Sequence, residues 1–375
     1  MRTEVDINAN MITWTIARAG YDLREFTAGF PNVIDWIEDK KKPTVKQLEA
    51  FSKKVHLPFG YLFLASPPEE KLPIPFFRTN NPKDQNVTVN VYDTILSLQQ
   101  RQDWLKDYLR DAEFQPLNFV GKFRNRHNPD EIVADIRETL GFNNNWASEF
   151  QTWQDALQYL TKKIEDAGII MVFNGVFENN TSRPIKVEEC RGFVLVDVMA
   201  PFMFINNSDE KAAQLFTIVH ELAHIWTGQS AGFDFRKMLP AKDPIDLLCD
   251  KVAAEFLVPE VSFNEVWIKY PDIKYAARYF KVSKIVITRR ALDIGKITRT
   301  QFFEFYDEYA NREFIKKKNQ NPGEDFYATT KKRLSLAFAA HINNAVKADK
   351  LLYRDAYKLT GLKGDTFQTF FSKHF

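Results

Sequence analysis

His220-Glu221-Leu222-Ala223-His224 constrains this chain more than any other stretch, because its spacing has a chemical use only on a helix. Positions i and i+4 of an α-helix lie one turn apart on one face, so both imidazoles can reach a single ion. Glu221 then points at a water on that ion, the arrangement metal-assisted hydrolysis needs. The surrounding residues predict such a helix. Asn207 and Glu210 have capping-box spacing, apolar residues recur from Ala212 to Ile225, and Gly228 stands where a helix would stop. Before it, Gly192–Asp197 and Pro201–Ile205 are rich in β-branched and aromatic residues and read as short strands. A strand running beside the helix would offer an edge for an extended substrate.

Two histidines and a water leave zinc one protein ligand short of its usual catalytic set. The next donors lie on one predicted helix, residues 244 to 258, with Asp243 as N-cap, Pro244 at the first helical position and Pro259 at the far end. Along it stand Asp246, Cys249, Asp250 and Glu255. At about 100° per residue Asp246 and Asp250 share a face, whereas Glu255 lies about half a revolution from Asp246. One metal cannot take both Asp246 and Glu255, and the spacing alone leaves either as the third ligand. Cys249 is a soft donor near that face, although a small buried thiol is the commoner fate of such a residue.

The segments Phe216–His224 and Ile245–Pro259 together resemble the ImmA/IrrE family of zinc metallo-endopeptidases. In that family the second segment carries a ligating Glu, Ala or Cys three residues later, Asn at the fourth, and an Ala-rich run ending in Leu-Met-Pro. Carried over position by position, the resemblance implies zinc held by His220, His224 and Asp246, with Glu221 as general base and Asp250 accepting a hydrogen bond from a ligating imidazole. Here Asp replaces the ligating Glu. The side chain is one methylene shorter, so its helix must sit closer to the metal.

The first 66 residues predict four short helices, Ile12–Ala19, Leu23–Ala28, Val33–Glu38 and Val45–Val55. They resemble the helix-turn-helix unit of the Xre repressor family through Ala19–Phe26, Trp36–Glu38 and Pro43–Leu48. The would-be recognition helix, Pro31–Glu38, offers Asn32, Asp35, Trp36 and Glu38 but no Arg or Lys, which is poor chemistry for a phosphate-lined groove. Packing or partner recognition therefore outranks DNA binding for this unit, and Lys40-Lys41-Lys42 is the one tract that could grip a backbone. Residues 67–82 read as a proline-rich connector, with Phe77-Arg78-Thr79 matching a segment of longer ImmA/IrrE relatives.

Helices are predicted at Val91–Ala112, Pro129–Leu140 and Trp153–Ala167, the last leading into a strand at Gly168–Phe173. With the motif segments they make residues 83–262 the peptidase domain. Ile273–Phe280 and Ser283–Leu292 form a helix-turn-helix-like pair within a unit at 263–315, where Lys284, Arg289 and Arg290 could touch nucleic acid. Lys316–Gly323 reads as a polar linker, and residues 324–375 as a tail of two or three helices, including Leu334–Val346 and Tyr353–Leu359. The expected fold class is α+β and predominantly helical, with a zincin-like core around a small mixed sheet.

A hydrophobic content of 45% supports real cores, and a net charge of +2 argues neither for nor against nucleic acid. No apolar run approaches the roughly 18 residues of a membrane span, and no segment has the build of a secretory signal. Two cysteines, Cys190 and Cys249, suit a reducing compartment, so a cytoplasmic location is expected. By the resemblance the substrate would be a repressor or antitoxin-like protein, and a homodimer is an allowed assembly. The alternative function is a DNA-binding regulator or antitoxin that keeps a degenerate or structural zinc site.

Overall fold

The computed structural model describes residues 3–68, 74, 88–233, 243–310 and 325–375. Most of the predicted connector at 67–82, including Phe77–Thr79, and the predicted linker Lys316–Gly323 lie outside the described residues. The fold is α+β and mostly helical, and it divides into two compact units, Met1–Pro73 with Thr79–Leu96, and Ile74–Arg78 with Ser97–Phe375.

Among the described residues the first unit holds the α-helices α1 (Ala9–Arg18), α2 (Leu23–Gly29), α3 (Asn32–Ile37) and α4 (Val45–Lys54), and the first residues of α5 (Val89–Asp111), to Leu96. Their starts are written in local side chains. Asn8 accepts from the N–H of Asn10, Asp22 from those of Arg24 and Glu25, and Thr44 with Gln47 forms a capping box. Asn8 begins α1 almost a turn before the predicted start at Ile12. Ile12, Ile16, Phe26, Val33, Trp36, Leu48 and Phe51 close the core, with the Phe51 ring 5.7 Å from Phe26 and 5.9 Å from Trp36, both edge-on.

The second unit takes the rest of α5, then α6 (Pro129–Leu140), α7 (Trp153–Asp166) and strand β1 (Ile170–Phe173). A small hairpin, β2 (Val176–Phe177) and β3 (Asn180–Pro184), precedes β4 (Gly192–Leu195) and β5 (Phe202–Ile205). Helix α8 (Lys211–Thr227) follows, then β6 (Ala231–Phe233). The main sheet has the order β1-β5-β4-β6, with β1 parallel to β5 and the other pairs antiparallel. The predicted strands β4 and β5 are therefore interior. The edge next to α8 in sequence is β6, three residues too short and glycine-rich to read as a strand.

Helices α9 (Pro244–Leu257), α10 (Glu260–Lys269), α11 (Ile273–Phe280) and α12 (Lys284–Asp293) continue the same core. Phe263, Ala276, Phe280, Ile287 and Ala291 are buried in one cluster with Leu222, Trp226 and Val252, so packing is continuous across the predicted boundary at 262/263. Beyond α13 (Arg299–Ala310), the C-terminal helices are α14 (Phe326–Leu334), α15 (Leu336–Lys347), α16 (Tyr353–Thr360) and α17 (Gly364–His374). The single helix predicted from Leu334 starts instead at Leu336, because Ser335 takes φ +64° and breaks it from α14. Phe338 docks this region edge-on against Trp104 and Phe202, and the Ser335 hydroxyl donates to Glu165 at 2.9 Å. Among the described residues no helix is long and apolar enough to cross a membrane.

Candidate metal centre

Every residue of α8 from Leu215 to Thr227 except Phe216 is buried, so the histidine helix lies in the core rather than along a surface. Its start differs from the predicted cap at Asn207. The Asn206 side chain accepts from Ser208 N–H and donates to the carbonyls of Ile185 and Cys190, which folds residues 206–209 into a turn and delays the helix to Lys211. The buried Gln214 amide then donates to Asp209 O at 2.7 Å, tying the turn to the first coils of α8. At the other end Gly228 takes φ +76° and returns its N–H to the carbonyls of His224 and Ile225. A Cβ there would lie 2.9 Å from the Gly121 backbone, so conformation and space both demand glycine. Trp226 fixes the same end, stacking on Phe119 at 4.5 Å and donating its indole N–H to Asp135 at 2.8 Å.

Helix α9 packs along α8. Asp243 caps it, accepting from the N–H groups of Ile245 and Asp246. Its far end is held by two arginines. Arg137 donates to Phe256 O at 2.6 Å and Arg290 donates to Val258 O at 3.0 Å, cations on the carbonyls where a helix is most negative. Burial lowers the Arg137 guanidinium to about 10. Neither arginine was singled out in the sequence as a support for this helix, since the contacts span 119 and 32 residues of chain.

Three side chains converge between the helices. His220 Nε2 and His224 Nε2 are 3.2 Å apart, and Asp246 Oδ1 lies 3.3 Å from the second and 3.9 Å from the first. All three residues are almost fully buried, as is Glu221. Zinc bonds of about 2.0–2.1 Å place tetrahedral ligands roughly 3.3 Å from one another, so the donors fit a zinc ion with small adjustments. The shorter Asp246 side chain does reach the imidazoles.

On the opposite edge of His220, Nδ1 lies 3.0 Å from Asp250 Oδ1. Asp250 is placed to accept a proton carried on Nδ1, the tautomer that leaves the Nε2 lone pair toward His224 and Asp246. Burial pushes the His224 imidazole below its ordinary range by more than Asp246 raises it, which keeps the ring neutral and able to ligate. A hollow of about 500 Å³ is lined in part by Asp250, Phe216, Leu247, Lys251, Ile285 and Phe302.

Glu255 is not part of this cluster. Its carboxylate pairs with Arg290 and accepts from the Glu260 N–H, so the reserve ligand is a clasp at the far end of α9. That pairing also occupies Arg290, and Arg289 binds Asp293 at 2.9 Å, so the two arginines proposed for nucleic-acid contact face carboxylates of their own chain. Cys249 is fully buried, and its Sγ and one ring nitrogen of each histidine all lie within 4.8 Å of one another. Burial, and then Asp246 and Glu221, push its thiol well above the usual range.

Residues 177–292 match the family model of the IrrE N-terminal-like domain of M78 peptidases. The match supports a metallopeptidase-like function at the level of the family, and it takes in both motif helices and continues through α11 and α12. Residues 334–373 match a domain of unknown function (DUF8813), which covers α15 to α17. No curated protein and no solved structure matches the chain.

Proposed function

We propose that the second unit is a zinc-dependent endopeptidase acting on a cytoplasmic regulatory protein of the repressor or antitoxin kind. The observation that carries this reading is the trio of donor atoms, two Nε2 and one Oδ1, gathered 3.2–3.9 Å apart in a buried gap. His220, His224 and Asp246 would hold the metal, which when bound lowers the pKa of water toward about 7 and polarises a carbonyl. Glu221, on the same helix one residue past His220, takes the water's proton and returns it to the leaving amine. Asp250 keeps the proton of His220 on Nδ1 and so aims Nε2 at the metal. Strand β6 ends the sheet, and an extended substrate could add its backbone there.

In the first unit, Lys40, Lys41 and Lys42 lie 2.6, 2.9 and 2.6 Å from carboxylates of Glu38, Asp35 and Asp6. A tract already neutralised by its own acids favours recognition of a protein partner over DNA. The decisive experiment measures metal content and peptide cleavage together in wild type and in Glu221→Gln. Retained zinc with hydrolysis reduced by about 10²–10⁴-fold is expected. Undiminished hydrolysis in the variant would remove Glu221 from the chemistry.

A further inference from the structure

We propose that Cys249 is a fourth protein donor to this centre, so that the resting site is closed by sulfur and must open before a peptide can be cut. The inference rests on the metal-binding reading above and extends it to how the site is regulated.

Helix α8 offers two donors one turn apart, His220 and His224, and α9 offers two donors at i and i+3, Asp246 and Cys249. Residues three or four apart share a helix face, so each helix turns a pair toward the other. All four residues are within 2% of full burial. The thiol and the imidazole donors already lie within 4.8 Å of one another. On a common tetrahedral zinc, sulfur at about 2.3 Å and nitrogen at about 2.0–2.1 Å would be roughly 3.5 Å apart, so a small adjustment of the side chain brings the sulfur within bonding reach. A leucine or valine at this position would only fill space, whereas a thiol is a strong zinc ligand in its own right.

The consequence follows from coordination number. Three protein ligands leave a position for water and substrate, and four close the site. When sulfur takes the fourth position the thiol gives its proton to solvent. When it withdraws it takes a proton back and the position reopens. Cys249 then acts as a latch on Glu221 chemistry without touching the peptide.

Cobalt(II) titrated into the metal-free full-length protein tests this, because thiolate coordination adds an intense near-ultraviolet charge-transfer band to the weak visible bands of the ion. Wild type should show both. Cys249→Ser and Cys249→Ala should keep the visible bands and lose the near-ultraviolet one completely, with unchanged unfolding curves confirming that the fold survives. Visible bands without the charge-transfer band in wild type would overturn the proposal, as would a band that persists in both variants and so belongs to another thiol. If no cobalt binds at all, the His220, His224 and Asp246 reading fails first, and the role of Cys249 falls with it.

Discussion

The two ends of α9 carry the same chemical group and do opposite things with it. Near its start, Asp246 faces the neutral His224 ring across a buried gap and Asp250 faces His220. Near its end, Glu255 faces the Arg290 guanidinium. A carboxylate beside a permanent cation is satisfied and has no capacity left for a metal, whereas one beside neutral rings retains its charge for an added ion. The helix wheel separates these acids but does not say which end meets the histidines. The charge across the gap does.

Breaking the end that faces the histidines should have the largest effect. Asp246→Ala should lower zinc affinity by more than the roughly 10–100-fold that loss of an outer partner costs, and abolish cleavage with it. Metal analysis at one equivalent checks this, and full occupancy would show that another donor does the holding. Asp250→Ala should fall inside the 10–100-fold range, because His220 keeps its place on α8 but loses the group that fixes its tautomer. Competition against a chromophoric chelator reads the difference. At the clasp end, Glu255→Gln should leave zinc binding untouched and cost about 1–2 kcal/mol of stability in urea unfolding. A loss of zinc comparable to that of the Asp246 variant would erase the distinction between the two ends.

The gentlest perturbation is pH. His224 is held neutral in the folded state, below the ordinary value of about 6.5 that it regains on unfolding. As pH falls below that value the unfolded chain binds a proton the folded chain does not, so the metal-free protein should lose stability progressively with acid. Its contribution is constant above that range, where both states are neutral. Urea midpoints across this range check the sign, and His224→Gln should flatten the slope. A metal-free protein as stable at low pH as near neutrality would mean the ring is not kept neutral by burial.

Much of this is legible in the sequence. The His-Glu-x-x-His pair, the Asp243 and Pro244 start of α9 and the capping box at Thr44 all depend on residues within one turn of one another, and local spacing encodes them directly. Elements governed by distant partners are not. The start of α8 moved because Asn206 bonds to carbonyls at 185 and 190, β6 exists because Gly192–Val194 pairs with it, and Ser335 breaks a pattern that looks continuously helical.

The amino-acid sequence by itself determined which chemical groups this protein can bring to a metal and on which helices they ride, because helical periodicity is a property of a few consecutive residues. Tertiary structure alone decided that Asp246, and not Glu255, lies beside the imidazoles. It laid the start of α9 against the two imidazoles, locked the other end with Arg137 and Arg290, and buried the thiol of Cys249 beside the ring nitrogens. Those choices depend on how two helices pack, and packing sums contacts from the whole chain rather than from any one window of it.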